Sequence, residues 1–147
     1  MHAIVNEHLK RPLPVTTITA TLVEHPGQRL QCLPNLVGDR HMVLLRTIHD
    51  MMSGMTDEDT RGFWNYYTLS NGGFFMAPKS DKTFDISCEN GFEHEVTADT
   101  AGIIACADAY SHLSMLEDSA TFGTAYKLLA HFIFQHRDAG IIRAALD

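Results

Sequence analysis

The sequence predicts an α+β fold, an antiparallel β-meander packed against several α-helices in one domain. Three observations carry this. Alternating and aromatic runs flank two Asn-Gly pairs, Asn71-Gly72 and Asn90-Gly91, and such pairs favour tight hairpins because they tolerate positive φ. From Thr97 onward the apolar spacing changes to the three- and four-residue steps of helices. The strands precede these helices instead of alternating with them, which argues against a doubly wound parallel sheet.

Each element follows from its local pattern. Residues 1–14, ending in Pro12 and Pro14, read as a flexible N-terminal arm, and 15–147 as a single domain. Val15 to Val23 alternates, with Ile18, Ala20 and Leu22 on one side and Thr17, Thr19 and Thr21 on the other, a strand pattern. His25-Pro26-Gly27 reads as a break, and Arg29 to Leu36 as a short helix or turn interrupted at Pro34. Asp39 to Met52 is helical, with Met42, Leu45, Ile48 (or His49) and Met52 as its stripe, Asp39 as N-cap and Gly54 as C-cap. Thr56 to Thr60 is a polar, acidic loop.

Phe63 to Leu69 and Phe74 to Ala77 form the first hairpin, with both Asn71 and Gly72 at positive φ and Pro78 ending the strand. In the second hairpin a two-residue loop would set Ile86 against Glu95. A three-residue loop with Gly91 left-handed pairs Cys88 with Phe92 and Phe84 with Val96, and keeps one face apolar. Thr97 caps a helix from Ala98 to Met115, with Asp99 in its first turn. Asp118 or Ser119 opens another to Gln135, whose apolar face is Phe122, Tyr126, Leu129, Phe132 and Ile133. Gly140 ends that pattern, and Ile141 to Leu146 is a last short turn.

Composition excludes several function classes. A chain of 147 residues, 45% hydrophobic and 20% charged, buries a core without disulfides or a structural metal. It has no membrane-length apolar stretch and no apolar signal core, so the cytoplasm is the expected location. Cys32, Cys88 and Cys106 form no CxxC pair and read as buried, reduced thiols. The net charge is −7, and the 11 Lys and Arg are scattered singly. Strong direct binding to DNA is therefore not expected. Nor is whole-molecule mimicry of DNA. About ten base pairs present roughly 20 charges, whereas the 18 carboxylates here are interleaved with cations. A local acidic patch is compatible with the count.

No motif builds a catalytic centre, a metal site or a cofactor site. His94-Glu95 begins like HExxH, but position 98 is Ala98. His131 and His136 stand about 140° apart around a helix. Gly123 to Lys127 lacks the glycines of a phosphate loop. Asp108, Ser111 and His112 share one helix, which suits an intrahelical Asp–His pair rather than a triad. Asp57 to Asp59 reads as a solvated loop before it reads as a metal or partner surface. Glu89, Glu93, Glu95 and Asp99 are the candidate acidic contact patch, with Glu93 and Glu95 on one face; an ordinary solvent face is the plainer reading. Trp64 and Tyr66 are candidate partner contacts, although core packing through two-sided burial is the plainer reading. A small hydrolase would have to draw on His94, Glu95, Asp108 and His112 converging in one pocket.

One resemblance reaches further. The segment Arg61-Gly-Phe-Trp-Asn-Tyr-Tyr-Thr-Leu-Ser-Asn-Gly-Gly-Phe-Phe-Met-Ala-Pro78 closely resembles the hallmark of the ArdB/KlcA antirestriction family. Ile18 to Val23 and Arg29 to Pro34 resemble the family's opening, and Val96 to Ala105 its Ala-Asp-Ala-Ala-Gly-Ile helix start, so the likeness spans roughly 16–147. It departs at Thr56 to Thr60, where the family often has a shorter segment with Cys-Pro, and at Thr100, where Ala is common. The resemblance implies a protein of plasmids, integrated islands or prophages that relieves type I restriction and leaves modification intact. It also implies no DNA mimicry, in contrast to the strongly acidic ArdA class, and brings no established catalytic residues. The implied partner is a type I restriction–modification system, engaged directly or through a host factor. The expected contact surface joins the first hairpin (Trp64, Tyr66, Asn71) to the acidic run Glu89 to Asp99, and an uncovered aromatic hairpin would favour a homodimer.

Overall fold

The computed structural model describes residues 17–147, so the arm expected over 1–14 lies outside the described residues. The elements are β1 (Ala20–Val23), α1 (Pro26–Val37), a 3-10 turn (Gly38–Arg40), α2 (His41–Met55), β2 (Trp64–Leu69), β3 (Phe74–Pro78), β4 (Thr83–Ser87), β5 (Glu93–Thr97), α3 (Ala98–Leu116), α4 (Ser119–Gln135) and α5 (Ala139–Leu146). One hydrophobic cluster takes in side chains from every strand and every α-helix. The fold class is the expected α+β arrangement with antiparallel hairpins.

Helix starts differ from the expectation where proline and histidine are involved. His25-Pro26-Gly27 opens α1 instead of breaking the chain. Pro26 occupies the first helical position, where no N–H is needed, and His25 Nδ1 accepts from Gly27 N at 3.1 Å. Pro34 is accommodated inside α1, which stops at Gly38 (φ +67°) with its N–H donated to the Pro34 carbonyl. Asp39 falls in the 3-10 turn and caps nothing, and α2 runs through Gly54 to Met55. Its buried stripe is Leu44, Ile48, Met52 and Met55, which leaves Met42 outside.

The strands form two sheets, β1-β2-β3 and β4-β5, all pairings antiparallel. The meander therefore divides between β3 and β4. The cause lies at the outer edge of β3, where α3 satisfies the backbone groups that a fourth strand would need. Tyr110 OH donates to Phe74 O at 2.7 Å. Cys106 Sγ accepts from Met76 N at 3.4 Å and donates to Met76 O at 3.6 Å. Burial lifts the Cys106 thiol to about 12, so it keeps the proton that this donation requires. Gly102 permits the approach, since a Cβ there would stand 2.4 Å from Met76 O.

Both hairpin turns are pinned to helices by their asparagines. In the first, only Gly72 takes positive φ (+95°), not Asn71 as well. Asn71 contributes through its side chain: Oδ1 accepts from Gly73 N and Nδ2 donates to Leu128 O in α4, each at 2.9 Å. The second turn has the expected three-residue loop, with Gly91 at φ +91° and Phe84 opposite Val96. Asn90 Oδ1 accepts from Phe92 N at 2.9 Å, and Nδ2 donates to Ala144 O (3.1 Å) and Ala145 O (3.3 Å). Those are terminal carbonyls of α5 that lack helical partners.

Thr97 caps α3 and Asp118 caps α4, both through side-chain oxygens, as expected. α3 is buried on nearly every side, the condition of a central helix. The Thr100 hydroxyl donates to Asp138 Oδ2 at 2.8 Å and ties the start of α3 to the α4–α5 turn. α5 is a helix of 8 residues that contains Gly140, not a single turn. Among the described residues no helix is long and apolar enough to cross a membrane.

Candidate functional site

The β2–β3 hairpin turns its large aromatics inward. Trp64 is 4% exposed. Its ring meets His49 edge to face at 4.5 Å, and its Nε1 donates to Thr60 O at 2.8 Å. Placed so, it offers a partner no surface. Phe74 and Phe75 are buried as well, whereas Phe63, just ahead of β2, is exposed. Tyr66 is half-buried, edge-on to Phe74, and the Arg29 guanidinium lies 4.1 Å above its ring. Burial raises its phenol pKa, with Arg29 opposing.

The β4–β5 hairpin presents the opposite character. Phe84, Ile86 and Val96 point into the core, so period two sends Asp85, Glu93 and Glu95 outward. Asp85 stands directly across from Glu95, a pairing of like charges that costs stability at a bare surface. The 56–60 loop closes against this face. Glu58 Oε2 accepts from Asp85 N at 3.2 Å, and Thr56 Oγ1 accepts from Glu58 N at 3.3 Å. The result is an open cavity of about 780 Å³ whose walls carry Asp57, Glu58, Asp85, Glu93 and Glu95, with His94 and, among the described residues, no Lys or Arg. In the same loop Arg61 hydrogen-bonds Asp59 and holds that carboxyl down at about 2.

The structure thus joins Glu93 and Glu95 to three carboxylates that sequence order left separate. It does not join the whole acidic run. Glu89 lines a different cavity, and Asp99 meets Tyr67 OH at 3.4 Å at the start of α3. Asn71 is committed to α4 and the turn. The 85/95 register in the sequence could have added Asp85, but Asp57 and Glu58 join only through a long-range loop contact.

The second cavity, about 570 Å³, lies between α2, α3 and the C-terminal residues and holds Asp50, Cys88, Glu89, Asp108 and His112. Burial pushes Asp108 up to about 6. Asp108 and His112 form no ion pair; among the described residues the ion pairs are Arg40–Glu117 and Arg61–Asp59. The four residues an enzyme would need are split, His94 and Glu95 in one cavity, Asp108 and His112 in the other. Among the described residues no group of three or more His, Cys, Asp or Glu is placed to hold a metal ion. The three thiols are unpaired, Cys32 and Cys106 buried and Cys88 half-buried.

Asp108 sets a pH dependence. Its folded pKa is raised to about 6 from 3.8, so the folded state holds the proton more tightly and loses stability as pH rises through that window. Asp108→Asn is expected to stabilise the protein at pH 7.5 by about 1–2 kcal/mol, after discounting the full shift for solvent screening. The gain should vanish below about pH 4. Melting curves at the two pH values check this; an equal effect at both would refute it.

Comparison with known proteins adds to this geometry. A family model described as "Antirestriction protein" matches residues 57–147. The antirestriction protein KlcA of Escherichia coli is 36% identical over 138 residues, which cover 88% of this chain and 94% of that one. The putative antirestriction protein YubI of Escherichia coli K12 is 32% identical over 135 residues, covering 86% and 95%. A solved structure superposes with a TM-score of 0.82 at 32% identity, over 92% of this chain and 99% of the other. It is described as belonging to the KlcA and ArdB proteins, with a novel fold and antirestriction activity against type I DNA restriction systems in vivo but not in vitro.

Proposed function

This chain belongs to the ArdB/KlcA family of antirestriction proteins, and from that premise we propose that it relieves type I restriction of incoming DNA inside the cell while leaving modification intact. The observation that carries the reading is the near full-length likeness to a protein active in vivo but not in vitro. Such behaviour supports a target that exists only in the cell: a host factor that controls the restriction complex, or the complex in its DNA-translocating state. The protein works by binding, not by catalysis, and residues 15–147 act as one antirestriction domain in the cytoplasm.

The contact surface we assign to this activity is the acidic face of β4–β5, with Glu93 and Glu95 at its centre and Asp57, Glu58 and Asp85 beside them. A basic partner surface would relieve the Asp85–Glu95 repulsion. Five carboxylates fall far short of the roughly 20 charges on about ten base pairs, so the reading needs no imitation of DNA. Net charge −7 also disfavours strong direct binding to DNA.

The test is the plating of unmodified phage on hosts with an active type I system, with and without the protein, beside a type II host and a methylation assay. Plating should rise toward that of a restriction-free strain in the type I host only, with methylation unchanged. Glu93→Gln with Glu95→Gln should lower the relief without lowering the melting temperature. Absence of relief by a well-expressed, folded protein against several type I families would end the proposal.

A further inference from the structure

Three exposed hydrophobic side chains gather beside one clamped cation. Leu30 on α1 is 75% exposed, Phe63 ahead of β2 60% and Met42 on α2 57%. Grouped apolar side chains left in water mark contact surfaces more often than scattered ones do. Leu30 and Met42 flank a cleft of about 400 Å³ between α1 and α2, floored by Leu33 and Leu45. At its rim the Arg29 guanidinium lies 4.4 Å from the Phe63 ring centre and 4.1 Å from that of Tyr66. Lys79 Nζ adds a second cation 5.9 Å from Phe63, and Lys79 N fixes Phe63 to the sheet by donating to its carbonyl at 2.9 Å.

The charge of this region is the reverse of the whole. The chain has 18 Asp and Glu against 11 Lys and Arg, yet among the described residues no carboxylate lines the cleft. Arg29 has no carboxylate partner among the described residues. A guanidinium held against two rings still carries N–H groups that can meet a carboxylate through paired hydrogen bonds. Holding it there beforehand reduces the ordering cost of binding.

We propose that the α1–α2 cleft docks a short acidic, apolar segment of a protein partner, its apolar side chains in the cleft and a carboxylate on Arg29. Nucleic acid is the poorer occupant. Cations already engage both rings, which removes stacking surface for bases, and a net charge of −7 repels a long polyanion. The cleft shares no residue with the acidic β4–β5 cavity. The proposal goes beyond the antirestriction reading and stands or falls without it.

The experiment uses the full chain, with a fluorescein-labelled helical peptide of leucine and glutamate and its leucine–lysine counterpart as probes. Anisotropy should show binding of the acidic peptide only, weakened by salt, and amide shifts should map to α1, α2 and Phe63. Arg29→Gln should weaken binding at least about tenfold, and so should Leu30→Ser, an exposed change that leaves the fold intact. Equal binding of both peptides, binding of neither, or shifts elsewhere would overturn the proposal. So would self-association through these residues in sedimentation, or uptake of anionic phosphatidylglycerol vesicles in place of the peptide.

Discussion

Gly102→Ala is expected to destabilise the protein by about 3 kcal/mol, a fall of about 10 °C in melting temperature for a chain of this size. The added Cβ would meet Ala77 Cβ and Met76 O at 2.4 Å. One of those atoms is backbone, so no rotamer change removes the clash. α3 would have to withdraw from β3 and strain the Tyr110–Phe74 and Cys106–Met76 hydrogen bonds together. Gly54→Ala supplies the control. Gly54 is also helical, with nothing within 4 Å of its added Cβ, and alanine there should stabilise by about 0.5–1 kcal/mol. Equal effects at the two sites in urea titrations would show that helix propensity, not the α3–β3 approach, governs both.

Trp64→Ala should cost about 3–5 kcal/mol, the usual penalty for emptying an aromatic core site. Trp64→Phe should cost about 1–2 kcal/mol, because the ring contact with His49 survives while Thr60 O loses its donor. The comparison also separates two roles. If Trp64 acts only through the fold, restriction relief by the Phe variant should be unchanged wherever the protein remains folded. Lost relief at unchanged melting temperature would return Trp64 to the contact surface. As the single tryptophan of the chain, the wild-type residue reports its own burial by fluorescence.

Local signals were legible and long-range closures were not. Thr97 and Asp118 each announce a helix by a capping oxygen, and the Phe84–Val96 register followed from keeping charges off an apolar face. His25 caps α1 with a ring nitrogen, outside the usual Ser, Thr, Asp and Asn set, so the real start looked like a break. The division of the sheet depends on α3 side chains about thirty residues from β3 in sequence, which no reading of strand propensity contains. The same holds for the candidate site. Glu93 and Glu95 were visible from strand alternation, whereas Asp57 and Glu58 join them only because the loop folds back onto Asp85. The aromatic pattern alone leaves Trp64 open between core and contact surface, because its carbonyl acceptor, Thr60 O, is main chain and leaves no mark in the sequence.

The pinned turns govern how the protein ages. An asparagine followed by glycine is the dipeptide that deamidates most readily, because the glycine nitrogen can attack the side-chain carbonyl. Here both attacking nitrogens are occupied, Gly72 N by Leu69 O at 2.9 Å and Gly91 N by Cys88 O at 3.0 Å. Both amide groups are held by helix carbonyls as well. Conversion to aspartate would turn each of those contacts into a repulsion between oxygens. The folded chain therefore protects the two positions where an unfolded chain would decay first, and an isoaspartate at residue 71 or 90 records time spent unfolded.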